Sequence, residues 1–169
     1  IWKDQPAPPA GQVRLHPLDL AGASYADKRA AVIETLTKHK ANAVVLTQPD
    51  SINWLLNIRG DDVPFNPLLL AHMVQRADGT ATLFTHPQSF SAELVEYVRA
   101  QKVDVAPISN VFSGKLIRQN LGARVLMDAS ATAVGWFALA EKLDVEILRA
   151  EDPVALPKAR KNTAELSGI

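Results

Sequence analysis

Three short runs decide the fold: Val103-Asp104-Val105-Ala106, Arg124-Val125-Leu126-Met127 and Val145-Glu146-Ile147-Leu148. Between them lie segments of helical character. One covers roughly residues 110–120, and the other carries Trp136, Leu139 and Leu143 spaced by three and four. A further helical segment near 90–101, with Phe90, Leu94, Val95 and Val98 along it, precedes the first run. Helix and strand in alternation imply parallel pairings with crossover helices. Upstream, Ala43-Val44-Val45-Leu46-Thr47 is a continuous apolar run, which fits a buried strand. Leu68 to Ala77 and Thr80 to Thr85 flank Asp78-Gly79, and Asp-Gly between strand-like runs predicts a two-residue hairpin turn that needs positive φ. Ser24 stands three residues before Asp27, a capping-box pattern with Asp in place of Glu. Val32, Ile33 and Leu36 follow on one face, so residues 25–40 read as an amphipathic helix. The expected fold is α/β, about six strands in a mixed sheet flanked by helices.

The chain has 169 residues, 18 basic and 18 acidic, a mass of 18.3 kDa and 47% hydrophobic content. That length suits one domain with a real core, and the composition is ordinary globular usage rather than that of a disordered chain. A formal net charge of zero removes the long-range attraction on which general nucleic-acid or anionic-membrane binders rely. The absence of cysteine excludes disulfides, thiolate metal sites and thiol nucleophiles together, and is compatible with the expected cytoplasmic location. No apolar run approaches the ~20 residues of a membrane-spanning helix.

The first 17 residues, with Pro6, Pro8, Pro9 and Pro17, form an extended lead-in on this reading. Trp2 is expected to pin that lead-in onto the domain or to pack on a neighbour. There is no initiator Met and no signal peptide, so the chain reads as the middle of a longer protein. Residues 1–150 are expected to form the domain, and residues 151–169 a linker that opens a polar helix without partners. Lys158, Arg160 and Lys161 read as its solvated first turn.

Dinucleotide and phosphate glycine loops, His-Glu-x-x-His and Gly-x-Ser-x-Gly are all missing. His16, His39, His72 and His86 stand far apart, and none has a second histidine at the spacing of a local metal-ligand pair. The densest polar group is Asn57-Ile58-Arg59-Gly60-Asp61-Asp62. Asp61 and Asp62 carry the oxygen ligands that hard cations prefer. The plainer alternative is a loop in which Arg59 pairs with Asp61 or Asp62 and Gly60 permits a tight bend. Arg59 offers a planar fork for a carboxylate or carbonyl. Trp54, among Ile52, Leu55 and Leu56, reads as core ahead of a ligand platform. Trp136 reads as core, and His72 as a core or sheet-face histidine.

Several segments together resemble a known family. Ile1-Trp2-x-Asp4-Gln5-Pro6-x-x-Pro9 resembles the start of the middle domain of the long, three-domain Xaa-Pro aminopeptidases (aminopeptidase P). Ala21-Gly22-x-Ser24-x-x-Asp27-Lys28 and Pro49-Asp50-Ser51-Ile52-Asn53-Trp54-Leu55-Leu56-Asn57-Ile58-Arg59-Gly60 follow in order. So do Asp62-Val63-Pro64-x-x-Pro67-Leu68-Leu69-Leu70-Ala71 and Asp152-Pro153-x-x-x-Leu156-Pro157-Lys158-Ala159-x-Lys161-Asn162. The likeness runs from Ile1 to Ile169.

The resemblance implies a creatinase/prolidase N-terminal-like fold. It also implies a parent enzyme that removes the N-terminal residue preceding proline. The chemistry there belongs to a following pita-bread domain holding two divalent metal ions, commonly manganese, through two Asp, one His and two Glu. None of those ligand motifs falls in this chain, so by itself it is expected to contain no catalytic residue, metal or cofactor. Its implied partners are that catalytic domain, a preceding N-terminal domain, a peptide with proline in second position, and a second copy in a homodimer. Arg59, Asn57, Asp61, Asp62 and Trp54 are the candidates for the part facing the substrate cleft or an interface. Two alternatives from other classes are an autonomous peptide-binding or scaffold module, and an independent metal-dependent hydrolase using Asp61 and Asp62.

Overall fold

The computed structural model describes residues 3–168, with all their side chains except those of 114–116. Trp2 lies outside the described residues. The chain runs β1 (Val13–Leu15), α1 (Leu18–Ala21), α2 (Tyr25–Lys38), β2 (Ala43–Leu46), α3 (Pro49–Leu56), β3 (Ile58–Gly60), β4 (His72–Arg76), β5 (Ala81–Thr85), α4 (Ala92–Ala100) and β6 (Val103–Pro107). It continues with α5 (Gly114–Leu121), β7 (Arg124–Met127), α6 (Val134–Lys142), β8 (Glu146–Arg149), α7 (Ala155–Ala159) and α8 (Thr163–Ser167). Six strands form one mixed sheet in the order β6-β5-β4-β2-β7-β8. β4 is antiparallel to β2 and β5, while the β5–β6, β2–β7 and β7–β8 pairs are parallel. The expected α/β mixed sheet is what the chain forms.

β2 explains the architecture. Its continuous apolar run is buried at every position because both faces are covered. Val44 and Leu46 join Met73, Leu83 and Leu126 under α2, α3 and α4, where Leu36, Ile52, Leu55 and Val98 pack. Ala43 and Val45 join Val74, Phe84, Val125 and Met127 on the opposite face, under Ile117, Leu121, Trp136 and Leu139. Alternate strand residues thus feed two separate cores. The Ser24–Asp27 capping box starts α2 as expected, each side chain bonding the other residue's backbone N–H at 3.2 Å.

Three expectations change. The Asp78-Gly79 hairpin forms, but with a longer loop than the two-residue turn. Gly79 N–H donates to Arg76 O and Arg76 N–H to Thr80 O, and of the two turn residues only Gly79 takes positive φ. Asp78 stays outside that region and accepts from Thr80 N and Oγ1, which favours the three-residue turn with a glycine bulge. The lead-in contributes a strand of its own, β1, paired antiparallel to β3 as a separate ribbon. The final helix has partners. Asn162 donates to Ala21 O and Glu165 accepts from Trp54 Nε1. Lys158 bonds Asp50 from the last turn of α7, not from the solvated first turn of a helix.

His72 sits at the start of β4 and accepts at Nδ1 from the fully buried Trp136 Nε1 at 2.9 Å. Burial holds its imidazole below the usual range. The folded chain therefore binds fewer protons than the unfolded chain as pH falls through about 6.5, and stability is lost on acidification. Thermal unfolding between pH 7.5 and 5.5, above the carboxylate range, should show this decline. His72→Gln keeps an acceptor for Trp136 and should make the decline shallower, leaving the share of His16, which is also held below its usual range.

Candidate functional site

The ribbon carries the residues of interest. Val13 faces Gly60, Arg14 faces Arg59, and Leu15 faces Ile58. The chain enters β3 from α3 through Asn57, whose backbone is left-handed with φ 52°. Asn tolerates this conformation better than most side-chain-bearing residues. Its carbonyl accepts from His16 N at 2.8 Å, its Nδ2 donates to Ala23 O at 2.8 Å, and its Oδ1 accepts from Lys28 Nζ at 2.7 Å. Gly60 touches the backbone of Leu69 so closely that a Cβ would lie 2.7 Å from Leu69 Cα. It serves close strand approach rather than a tight bend.

An open recess of about 340 Å³ lies between the ribbon, α1, α3 and α8, lined by His16, Leu20, Trp54, Arg59, Lys161, Glu165 and Gly168. Trp54 is half-buried. Its indole N–H donates to Glu165 Oε1 at 2.7 Å, and Lys28 Nζ lies 3.9 Å from the ring centroid. Lys28 itself is buried and also donates to Trp54 O at 2.9 Å. Desolvation pushes its ammonium down to about 8, an effect opposed by Glu165 and reinforced by Arg59. His16 is held below its usual range by burial first, then by Arg59 and Lys28. Arg59 is half-buried and lowered by burial and by Arg14. Its Nη1 donates only to Ile58 O at 2.9 Å, and no carboxylate among the described residues lies within ion-pair distance.

Glu165 is the one carboxylate among the described residues that line the recess. Desolvation pushes it up, but hydrogen bonds from Asn162 and Trp54, with Lys28 and Lys161 nearby, hold it below the usual carboxylate value. Both oxygens are engaged, Oε1 by Trp54 and Oε2 by Asn162 N. The described lining of the recess thus sets the cationic side chains of Arg59 and Lys161 in the same hollow as the Trp54 indole, donors of the kind that bind a carboxylate or carbonyl.

Of the sequence candidates, Arg59 and Trp54 line the recess and Asn57 holds its wall. Asp61 and Asp62 stand apart from it, and neither pairs with Arg59. Asp61 pairs with Arg14 at 2.6 Å, and Asp62 accepts from Gly11 N and Leu70 N at 2.7 Å each. Among the described residues no three His, Cys, Asp or Glu side chains assemble as a metal site. His16, Lys28 and Glu165 were missed as members of the site. A signal existed for two of them. Lys28 shares the α2 face of Tyr25, Val32 and Leu36, and Asn162-x-x-Glu165 has the capping-box pattern.

Beyond Asp62, Val63-Pro64-Phe65-Asn66 forms a turn closed by Asn66 N–H to Val63 O at 3.1 Å. Pro64 sits where such turns favour it, but Phe65 takes φ 60°, a position suited to glycine, with its ring fully exposed. Phe65→Gly relieves that strain without loss of an internal contact, and should raise the melting temperature by about a few degrees. Lys28→Met should lower stability by about 1–3 kcal/mol in urea unfolding, because Trp54 O and Asn57 Oδ1 lose their donor. The wild type should also gain stability as pH rises above about 8, where folded Lys28 sheds a proton the unfolded chain keeps. That gain should shrink in Lys28→Met, leaving the part that comes from Lys158, which burial also lowers.

Comparison with known proteins places these features in a family. Residues 4–165 match the model of the Creatinase/Prolidase N-terminal domain. The whole chain aligns with proteins described as probable Xaa-Pro aminopeptidase P, at 33% identity in Ajellomyces capsulatus and 32% in Paracoccidioides lutzii. It spans 29% of the length of each. Among solved structures, the X-prolyl aminopeptidase of Caenorhabditis elegans, described as a cytosolic enzyme with a di-nuclear active site, superposes with a TM-score of 0.85 at 22% identity. The match covers 99% of this chain and 28% of that one. The Xaa-Pro dipeptidase of Bacillus anthracis shares the fold at a TM-score of 0.60 and 14% identity, over 85% of this chain and 38% of its own. With nearly its full length matched by the family model and the same fold in these structures, the chain belongs to the Creatinase/Prolidase N-terminal domain family.

Proposed function

We propose that this chain is a non-catalytic domain of a metal-dependent Xaa-Pro aminopeptidase, an enzyme that removes the N-terminal residue preceding proline. In this reading residues 1–150 form the domain body and 151–169 lead toward the catalytic domain. The recess around Arg59 borders the route to the active site. The observation that carries the reading is the end-to-end alignment with Xaa-Pro aminopeptidase P relatives, of which this chain is 29%. Exposed leucines support a covered surface around the recess: Leu18 and Leu20 on α1, Leu156 on α7 and Leu166 on α8. A homodimeric, cytoplasmic parent with two metal ions, manganese in our reading, completes the proposal. The residues present here do not fit such a centre, since the described ones form no acidic or histidine cluster. The ions belong to another part of the parent.

Arg59 has two roles open to it in that setting. It forks onto a carbonyl or carboxylate of the peptide, or it clamps the interface between domains. In the parent enzyme, Arg59→Ala should lower kcat/KM on Xaa-Pro peptides about tenfold or more, chiefly through KM, with partial recovery in Arg59→Lys. A lower melting temperature with unchanged kinetics assigns the clamp instead. Unchanged kinetics together with unchanged melting would sink both roles.

A further inference from the structure

On the sheet face that α5 covers, a pocket of about 250 Å³ opens between β4, β5, β6 and α5. Strand register brings its residues together. Thr82 on β5 faces Asp104 on β6, and Phe84 faces Ala106, while Arg76 closes β4 beside them. Gln119 and Asn120 of α5 line the remaining side.

Arg76 is half-buried there and held in one orientation. Its Nε donates to Thr80 Oγ1 at 2.5 Å, and its Nη1 donates to Thr82 Oγ1 at 3.1 Å and to Asn120 Oδ1. Thr82 Oγ1 in turn donates to Asn120 Oδ1 at 2.9 Å. Every one of these acceptors is neutral, and no carboxylate among the described residues lies within ion-pair distance of the guanidinium. Its Nη2 has no hydrogen-bond partner among the described residues, and neither has the Gln119 side-chain amide. Asp104, exposed on the edge strand, accepts no hydrogen bond and forms no ion pair among them either. Burial lowers the basicity of Arg76, and Asp78 and Asp104 oppose that from a distance. One pocket thus holds a fixed cation and a separate anion, too far apart to pair with each other.

We infer that this pocket is a binding site for a small free α-amino acid, its carboxylate on Arg76 and Gln119 and its ammonium on Asp104. A bare anion gains from Arg76 but is repelled by Asp104, and a bare cation meets the reverse. A zwitterion carries both charges on neighbouring atoms and satisfies both ends at once. The three bonds already made by Arg76 fix its orientation, so little side-chain freedom is lost on binding. Phe84 and Ala106 supply apolar lining beside the charged ends. The volume falls below the ~300–1,000 Å³ of pockets for drug-sized ligands, which suits a small apolar side chain. A purely structural role for Arg76, bracing β4 and β5 to α5, accounts for Nε and Nη1 but leaves Nη2 and Asp104 unexplained. The aminopeptidase reading supplies such a molecule, since each turnover frees one amino acid, but the site does not rest on that reading.

The test is an NMR titration of the 169-residue chain with L-alanine. Saturable shifts are expected at Arg76, Thr82, Asp104, Gln119 and Asn120. N-acetyl-L-alanine lacks the ammonium and L-alaninamide lacks the carboxylate, so each should bind about tenfold more weakly or worse. Asp104→Asn should cause the same loss for L-alanine with the melting temperature unchanged, because Asp104 bonds nothing within the described chain. Arg76→Lys keeps the charge without the planar fork and should abolish binding. If its lost hydrogen bonds unfold the chain, Asp104→Asn still decides. Absence of saturable shifts at millimolar L-alanine overturns the proposal. Equal binding of acetate does the same, since it marks a plain anion site, as does an unchanged affinity in Asp104→Asn. No outcome depends on peptidase activity, so failure here leaves the aminopeptidase reading untouched.

Discussion

The left-handed backbone at Asn57 is the constraint on which the candidate site depends. At that residue the chain stops being helix α3 and becomes strand β3 with no intervening loop. A glycine would adopt the same φ more easily, but it would lose the bonds to Lys28 and Ala23. An aspartate would set a second acceptor against the Ala23 carbonyl. Asparagine alone provides the acceptor, the donor and the tolerance of positive φ together. Its own carbonyl then begins the ribbon through His16, so one residue ties α2, α3, β1 and β3 into a common corner.

That corner stands off the main sheet. Open α/β folds usually bind ligands at the carboxyl ends of their sheet strands. Here none of the residues lining the recess comes from the six-stranded sheet; they come from the ribbon, the flanking helices and the α7–α8 segment. The sheet's part is mechanical. With β2 buried on both faces, the helices above it have little freedom, and α2 and α3 present Lys28 and Trp54 from a rigid base.

The charge balance of the corner has a consistent direction. Arg59, Lys28, His16 and Lys161 gather near Glu165, and both oxygens of Glu165 are already bonded within the domain. Burial and mutual repulsion weaken the protonated forms of Arg59, Lys28 and His16. An incoming anion or carbonyl would favour those protonated forms.

Periodicity within the sequence determined the sheet. The alternation of helical and strand-like runs, the continuous apolar run at β2 and the Ser24–Asp27 box each rest on neighbours a few residues apart. Such patterns are legible because local backbone geometry repeats every two or 3.6 residues. Family likeness also brought Arg59, Trp54 and Asn57 forward. What only the tertiary structure decided lies between distant residues. Arg14, in a proline-rich lead-in with no period, pairs with Asp61 across 47 positions and displaces the expected partnership of Arg59. Glu165 reaches Trp54 across 111 positions. No local repeat records such contacts, since they follow from how the sheet and the Asn57 corner bring separate segments to one surface.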